Sequence, residues 1–378
     1  MIRSLGSTCR RLAALVVVAL LGVCVATAQT NLVTAVRDGG GNLKLISWDE
    51  NGLRLNAQGA SAGAVSLISA VRMGTSEQMV TAVRDGDGNL KVIVWKVSFN
   101  GQIERRQSGQ AGAVSRISAV SNPIGDRAIT AVRDGSGNLK VIVWAVTPQG
   151  FVSRLPGEGS AGAVDAISAA FVGSSGTLLT TAVRDGNGNL KIITWRVASS
   201  GQVTRLKDAS AGAVTEISAV ALSTTQLVTA VRDGGGNLKV IAWDVDANGN
   251  VTRGEEAQAG TATRIVAFPL FGSRLATAVR DAGGNLKVIS WDVSPTNNHV
   301  ARLDDESAGA VSVIAASLCG FQIAPPRIVP FQTSVRDGNG NLKIITWRST
   351  LEGTAITRFP RGEASAGAVS LISTACFQ

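Results

Sequence analysis

Arginine and aspartate stand side by side seven times in this chain, at Arg37-Asp38, Arg84-Asp85, Arg133-Asp134, Arg184-Asp185, Arg232-Asp233, Arg280-Asp281 and Arg336-Asp337. Each pair opens the phrase Arg-Asp-Gly-x-Gly-Asn-Leu-Lys, with Ala282 for the first glycine in the sixth copy, and each Arg is followed eleven residues later by a Trp: Trp48, Trp95, Trp144, Trp195, Trp243, Trp291 and Trp347. Identical charged pairs at identical spacing are what an array of equivalent binding sites for a glycan or protein ligand would show. The Trp rings could serve such sites as sugar-stacking platforms. The framework reading gives the Trp to packing, the Asp and the lysine six residues on (Lys44 after Asp38) to an ion pair across a hairpin, and the Arg to a neighbouring repeat. An exposed ion pair is worth only about 0.2 to 1 kcal/mol, so its repetition speaks for geometry rather than bulk stability.

Other chemistries are poorly represented. Asp85-x-Asp87-x-Asn89 has the alternation of a calcium loop, but the position of Asp87 is Gly40, Ser136, Asn187, Gly235, Gly283 or Asn339 elsewhere. One Asp and one Asn do not assemble six oxygen ligands. The single histidine, His299, lies in the irregular run Pro295-Thr296-Asn297-Asn298-His299 and reads as a solvated loop residue. No zinc spacing, nucleophile elbow or phosphate loop stands out, and Gly-x-Gly here interrupts a hairpin instead of preceding a helix. No catalytic residue, metal or cofactor is expected. A hydrolase or oxidoreductase with one site in the divergent segments, such as 319–332, is the alternative, and a purely structural surface scaffold is another.

The N-terminus carries Arg3, Arg10 and Arg11, an apolar run from Leu12 to Val25, and Ala26-Thr27-Ala28. This is the pattern of a secretory signal peptide over 1–28, too short for a comfortable membrane span. Lipidation at Cys24 is an alternative disfavoured by Val23. Loss of the three arginines lowers the net charge from +9 to +6. That is mild for a chain of this length, most of the basic residues are locally neutralised, and there is no Tyr, so nucleic acid is not an expected partner. A secreted or periplasmic monomer without a membrane span follows. Cys319 and Cys376 remain after cleavage; in an exported chain they either form a disulfide or stay as two buried thiols.

The elements that position these residues are short strands. In the second copy Met79 to Arg84 and Leu90 to Val97 flank Asp85-Gly86-Asp87-Gly88-Asn89, whose Gly and Asn supply the positive φ of a hairpin. Gln102 to Arg106 follows a turn at Asn100-Gly101, and Ala111 to Val120 forms a fourth, small-residue run. In the first hairpin Val36 should face Lys44, Thr34 face Ile46, and Leu32 lie near Trp48. Both faces are then apolar, and a buried Trp contributes roughly 4 to 6 kcal/mol as an upper bound.

Seven units of four strands with a period of roughly 50 residues resemble β-propeller repeat proteins. The resemblance covers Leu32 to Phe377 and fits no named repeat. Trp48-Asp49, Trp243-Asp244 and Trp291-Asp292 carry the Trp-Asp dipeptide, whereas Trp95-Lys96, Trp144-Ala145, Trp195-Arg196 and Trp347-Arg348 do not. The absence of Tyr excludes a kelch-type motif, and the spacing around Arg37-Asp38 departs from a sialidase-type Asp box. The resemblance implies an all-β, seven-bladed ring. The Ala-Gly-Ala-Val run would be innermost, its small residues suiting a crowded axis, and the last strand (Ala366 to Phe377) would complete the first blade beside Leu32 to Arg37. An unpermuted blade order closed by packing alone is the other possibility.

Overall fold

A computed structural model describes residues 31–56, 59–74, 76–319 and 328–377. The expected signal peptide and most of the divergent segment 319–332 lie outside the described residues. All regular structure within them is β-strand. The strands form seven four-stranded antiparallel sheets, the blades of a propeller, numbered here 1 to 7 from the N-terminus.

The hairpin register follows from alternation of apolar faces. Leu32 pairs with Trp48, Thr34 with Ile46 and Val36 with Lys44, as expected. At the tip, Gly41 has φ of 83° and the equivalent Gly88 has 85°, the left-handed conformation that side chains disfavour. The amide of Gly88 donates to the carbonyl of Asp85 to close the turn.

Each blade has two buried faces, so each apolar cluster spans two blades. Trp195 packs with Val197 and Leu179 of blade 4 against Ile129, Leu139 and Val141 of blade 3. Trp48 does the same for blade 1 against Leu342 and Ile344 of blade 7. All seven Trp are fully buried. Each Nε1 donates to the hydroxyl of the Thr fourteen residues earlier, Thr34 for Trp48 and Thr181 for Trp195, at 2.9 to 3.0 Å. The packing role thus accounts for every indole, and sugar stacking on these rings is ruled out by their burial.

One expectation about the strands is corrected. The rim strand and the small-residue run are not separate elements. In Ile103–Ser121 the first part pairs with Asn89–Val97 at the rim of blade 2, up to Ala113 opposite Asn89. From Val114 the same strand pairs with Arg127–Asp134 as the inner strand of blade 3. Val203–Ala221, Val251–Pro269, Val300–Leu318 and Ile356–Phe377 repeat this passage. Between blades 3 and 4 it is broken into Val152–Arg154 and Gly159–Val172, where Pro156 lacks the amide a ladder needs. Ala-Gly-Ala therefore marks the crossing between blades, and the inner strand begins at the following Val.

Small residues do serve the axis further along. The amide of Ala70 donates to the Ser373 hydroxyl, and Ala119, Ala169, Ala219 and Ala267 donate to Ser69, Ser118, Ser168 and Ser218, at 2.8 to 3.0 Å. These bonds join successive inner strands around the centre, where a bulkier side chain would hold them apart.

The ring closes as the pattern predicts. Residues 369–377 pair with Asn31–Asp38 from Asp38 opposite Val369 to Asn31 opposite Phe377, so the chain's last strand is the inner strand of blade 1. Cys319, at the end of the inner strand of blade 7, is disulfide-bonded to Cys376, with a Cα–Cα distance of 5.3 Å. Of the two states open to these cysteines, the disulfide is the one present.

Candidate functional site

The seven Arg-Asp pairs lie on one face of the ring, at the ends of their hairpins, and the two side chains of each pair do different things. Each Arg reaches inward. Its Nη1 bonds the inner strand of its own blade: Ser370 for Arg37, Ser66 for Arg84, Ser115 for Arg133, Asp165 for Arg184, Thr215 for Arg232, Thr263 for Arg280 and Ser312 for Arg336. Its Nε donates to a carbonyl of the next blade in six copies: Val65 from Arg37, Val164 from Arg133, Val214 from Arg184, Ala262 from Arg232, Val311 from Arg280 and Val369 from Arg336, at 2.6 to 2.8 Å. The guanidinium is a rigid fork of donors, which suits it to clamp two blades at a fixed angle.

Each Asp stays at the tip. Oδ1 of Asp38 accepts from the amides of Gly40 and Asn42. The same acceptance of the Asn amide recurs at Asp85, Asp134, Asp185, Asp233, Asp281 and Asp337. This is turn chemistry, and one carboxylate oxygen serves it.

The lysine of the repeat pairs with the Asp in one copy among the described residues, Lys191 with Asp185 at 3.9 Å. In five copies, that of Lys191 among them, it reaches a carboxylate at the rim, which a rim arginine also grips. The triads are Lys140-Glu158-Arg154, Lys191-Asp208-Arg205, Lys239-Glu256-Arg253, Lys287-Asp305-Arg302 and Lys343-Glu363-Arg358. Partial burial pushes the carboxyls of Glu256, Asp305 and Glu363 up, but the hydrogen bonds and charges of their Lys and Arg partners outweigh it and leave all three lowered. Carboxyls lowered in the folded state add stability above the ordinary carboxylate range and lose it as pH falls through their folded values. Replacing Glu256, Asp305 and Glu363 by Gln, Asn and Gln should therefore shrink the fall in urea midpoint between pH 6 and pH 3. An equal fall in both proteins would remove the triads from the account.

Between blades, the tip and the crossing enclose a pocket. At the junction of blades 2 and 3 the crossing Ala111-Gly112-Ala113 faces Asp134, Gly135, Ser136, Lys140 and Arg154, around a space of about 240 Å³. Equivalent pockets of about 240 and 230 Å³ lie at Gly63 with Asp85, Asp87 and Lys91, and at Gly260 with Asp281 and Lys287. The crossing glycines are Gly63, Gly112, Gly162, Gly212, Gly260, Gly309 and Gly367. A Cβ added to any of them would meet nothing within 4 Å, and none has a left-handed φ. Neither packing nor backbone conformation asks for glycine there. Glycine in a strand costs roughly 0.5 to 1 kcal/mol relative to alanine, and it recurs where a ligand or another backbone comes close.

Of each expected Arg-Asp pair the Asp lines such a pocket at three junctions while the Arg is taken up between blades, and the crossing glycines, expected to serve axial packing, lie at the pockets instead. Sequence reasoning missed the inner-strand residues Arg116, Glu216 and Arg264, charged at a position occupied by Leu67, Ala166, Val313 and Leu371 in the other repeats. Superposing the repeats residue by residue would have shown that departure. His299 is exposed and pairs with Glu255 at 2.6 Å. Among the described residues no cluster of three His, Cys, Asp or Glu is placed to hold a metal, and no helix is long and apolar enough to cross a membrane.

No protein-family model matches the chain, and no curated protein matches its sequence. Solved structures do share its fold. A periplasmic gluconolactonase from Pseudomonas aeruginosa superposes with a TM-score of 0.64 at 12% identity, over 92% of this chain and 99% of that one. A candidate 6-phosphogluconolactonase from Bacteroides fragilis gives 0.63 at 12% identity, over 93% and 99%. At such identity the likeness defines the architecture, a β-propeller.

Proposed function

We propose that this protein is an extracytoplasmic binding propeller, non-enzymatic, that engages a repeated glycan or protein ligand through equivalent pockets at its blade junctions. The observation that carries this reading is the crossing glycine, open to solvent at all seven junctions with no structural demand for it. Around it the pocket offers an apolar floor, Val132 and Ile142 at one junction, and a polar wall of Asp134, Lys140 and Arg154. That mixture suits a sugar ring or a small polar loop, with an aliphatic face laid on Ala and Gly and hydroxyls turned to the charged groups. The disulfide between Cys319 and Cys376 supports an oxidising compartment, secreted or periplasmic.

Several weak sites on one rigid ring gain avidity of 10² to 10⁴ over a single contact when the ligand is presented in many copies. Millimolar to micromolar affinity per site and firm attachment to a ligand-bearing surface are expected. A glycan array run alongside a broad hydrolase screen tests this, with Gly162→Leu as the diagnostic variant. Its side chain enters open space, so thermal stability should hold while surface attachment weakens through loss of one site. Catalytic turnover abolished by a single change within 319–332 or at His299 would overturn the reading, since equivalent pockets do not depend on one loop.

A further inference from the structure

On the same face, the mouth of the axis breaks the sevenfold pattern along one arc. Two residues beyond the crossing Val or Ala of each blade, the inner strand presents Leu371, Leu67 and Val313 in blades 1, 2 and 7, but Arg116, Glu216 and Arg264 in blades 3, 5 and 6. One residue earlier, where six blades carry Ser or Thr, blade 4 carries Asp165. In a chain whose repeats agree so closely elsewhere, four charged departures gathered on adjacent blades mark a place where symmetry was given up.

They surround open volume. A cavity of about 460 Å³ is lined by Glu216, Arg232, Arg264 and Arg280 with the hydroxyls of Thr215 and Thr263, and a neighbouring one of about 520 Å³ extends it past Asp165 to Arg116. Ligand sites for small molecules run about 300 to 1,000 Å³. Arg264 is mostly exposed, and its Nη1 stands 3.7 Å from Glu216 Oε1. That separation is long for a hydrogen bond, and a guanidinium has five donors, so Glu216 does not use up its capacity. Glu216 is largely buried, and burial raises its carboxyl despite the lowering pull of Arg264 and Arg232. A hydroxyl donated to that carboxylate would offset its lost hydration.

The geometry points to a single-copy site at the axial mouth for a small polyhydroxylated anion, a sugar acid or a sugar phosphate. The arginines match a carboxylate or phosphate. Glu216 and the Thr hydroxyls match hydroxyl groups, and Glu216 opposes a bare anion that brings none. A neutral sugar, in turn, brings no charge to the three arginines of the first cavity, which outnumber its one carboxylate, Glu216. This site is independent of the junction pockets, since it uses different residues and occurs once.

Titration calorimetry of the intact protein with four probes tests it: galacturonate, galactose 1-phosphate, galactose and inorganic phosphate. At least one of the first two should bind one per chain and at least tenfold more tightly than galactose or phosphate; which one is tighter identifies the anionic group. Arg264→Ala should weaken that binding at least tenfold. Glu216→Gln should narrow the advantage of the sugar anion over phosphate, whereas Gly162→Leu should leave it unchanged. Binding of several molecules per chain, equal binding of galactose or phosphate, no binding of any probe, or an Arg264→Ala protein that binds as well as the parent would each overturn the assignment. Failure of the junction-pocket reading shows separately, as loss of surface attachment on the glycan array with axial binding intact.

Discussion

Replacing Trp195 with Ala lowers stability by about 3 to 5 kcal/mol, the range for truncating a large buried aromatic, and leaves ligand affinity at the remaining sites intact. The indole is fully buried between blades 3 and 4. On one edge it touches the backbone of Gly159 so closely that a Cβ there would sit 2.9 Å from the ring. The cavity left by Ala is thus bounded by two sheets held elsewhere around the ring, and it collapses poorly. Trp195→Phe separates the contributions. It keeps most of the packing but removes the hydrogen bond to the Thr181 hydroxyl at 2.9 Å, a loss of about 1 kcal/mol. Thermal melts lowered by several degrees for Ala and much less for Phe are expected. A Trp195→Ala protein with the parent's melting temperature would remove the indole from the account of stability.

Opening the disulfide has an effect of similar size by another route. Cys319 and Cys376 are 57 residues apart in sequence, and closing such a loop in the unfolded chain corresponds to about 4 kcal/mol in the chain-entropy model. The bond also lies inside the apolar cluster joining blade 7 to blade 1. The double variant Cys319→Ala, Cys376→Ala should lose about that much unfolding free energy, read as a lower urea midpoint. Adding reductant should shift the parent's midpoint towards the variant's and leave the variant's where it is. A variant as stable as the oxidised parent would show that strand pairing between 369–377 and Asn31–Asp38 closes the ring unaided.

Much of this architecture is legible in the chain because the blade repeats its local rules. The alternation of Leu32, Thr34 and Val36 against Lys44, Ile46 and Trp48 fixes the hairpin register, and the orphan strand at the C-terminus has one open edge to fill. The rim strand was harder to place. Its ladder shifts by a bulge between Ile241 and Trp243, so the neighbours of Lys239 on the rim could not be counted out from the hairpin, and the carboxylates that complete the triads stayed hidden. Ala-Gly-Ala misled for a different reason. Smallness suits a crowded axis and an open pocket equally, and only the empty space around the glycines tells the two apart. The axial charges are legible as residues but not as a cluster, because Arg116 and Arg264 are brought together by the curvature of the ring.

Closure by the final strand also sets a timetable for folding. A chain that emerges N-terminus first delivers Asn31–Asp38 at the start and 369–377 at the end, so until the trailing residues arrive the leading sheet carries a bare edge. Such an edge invites pairing with other chains. A holding chaperone that covers extended segments, or fast delivery of the trailing residues, would protect the emerging chain. The Cys319–Cys376 bond forms only once both ends have arrived, which makes its oxidation a natural time stamp for completed assembly in a pulse-chase experiment.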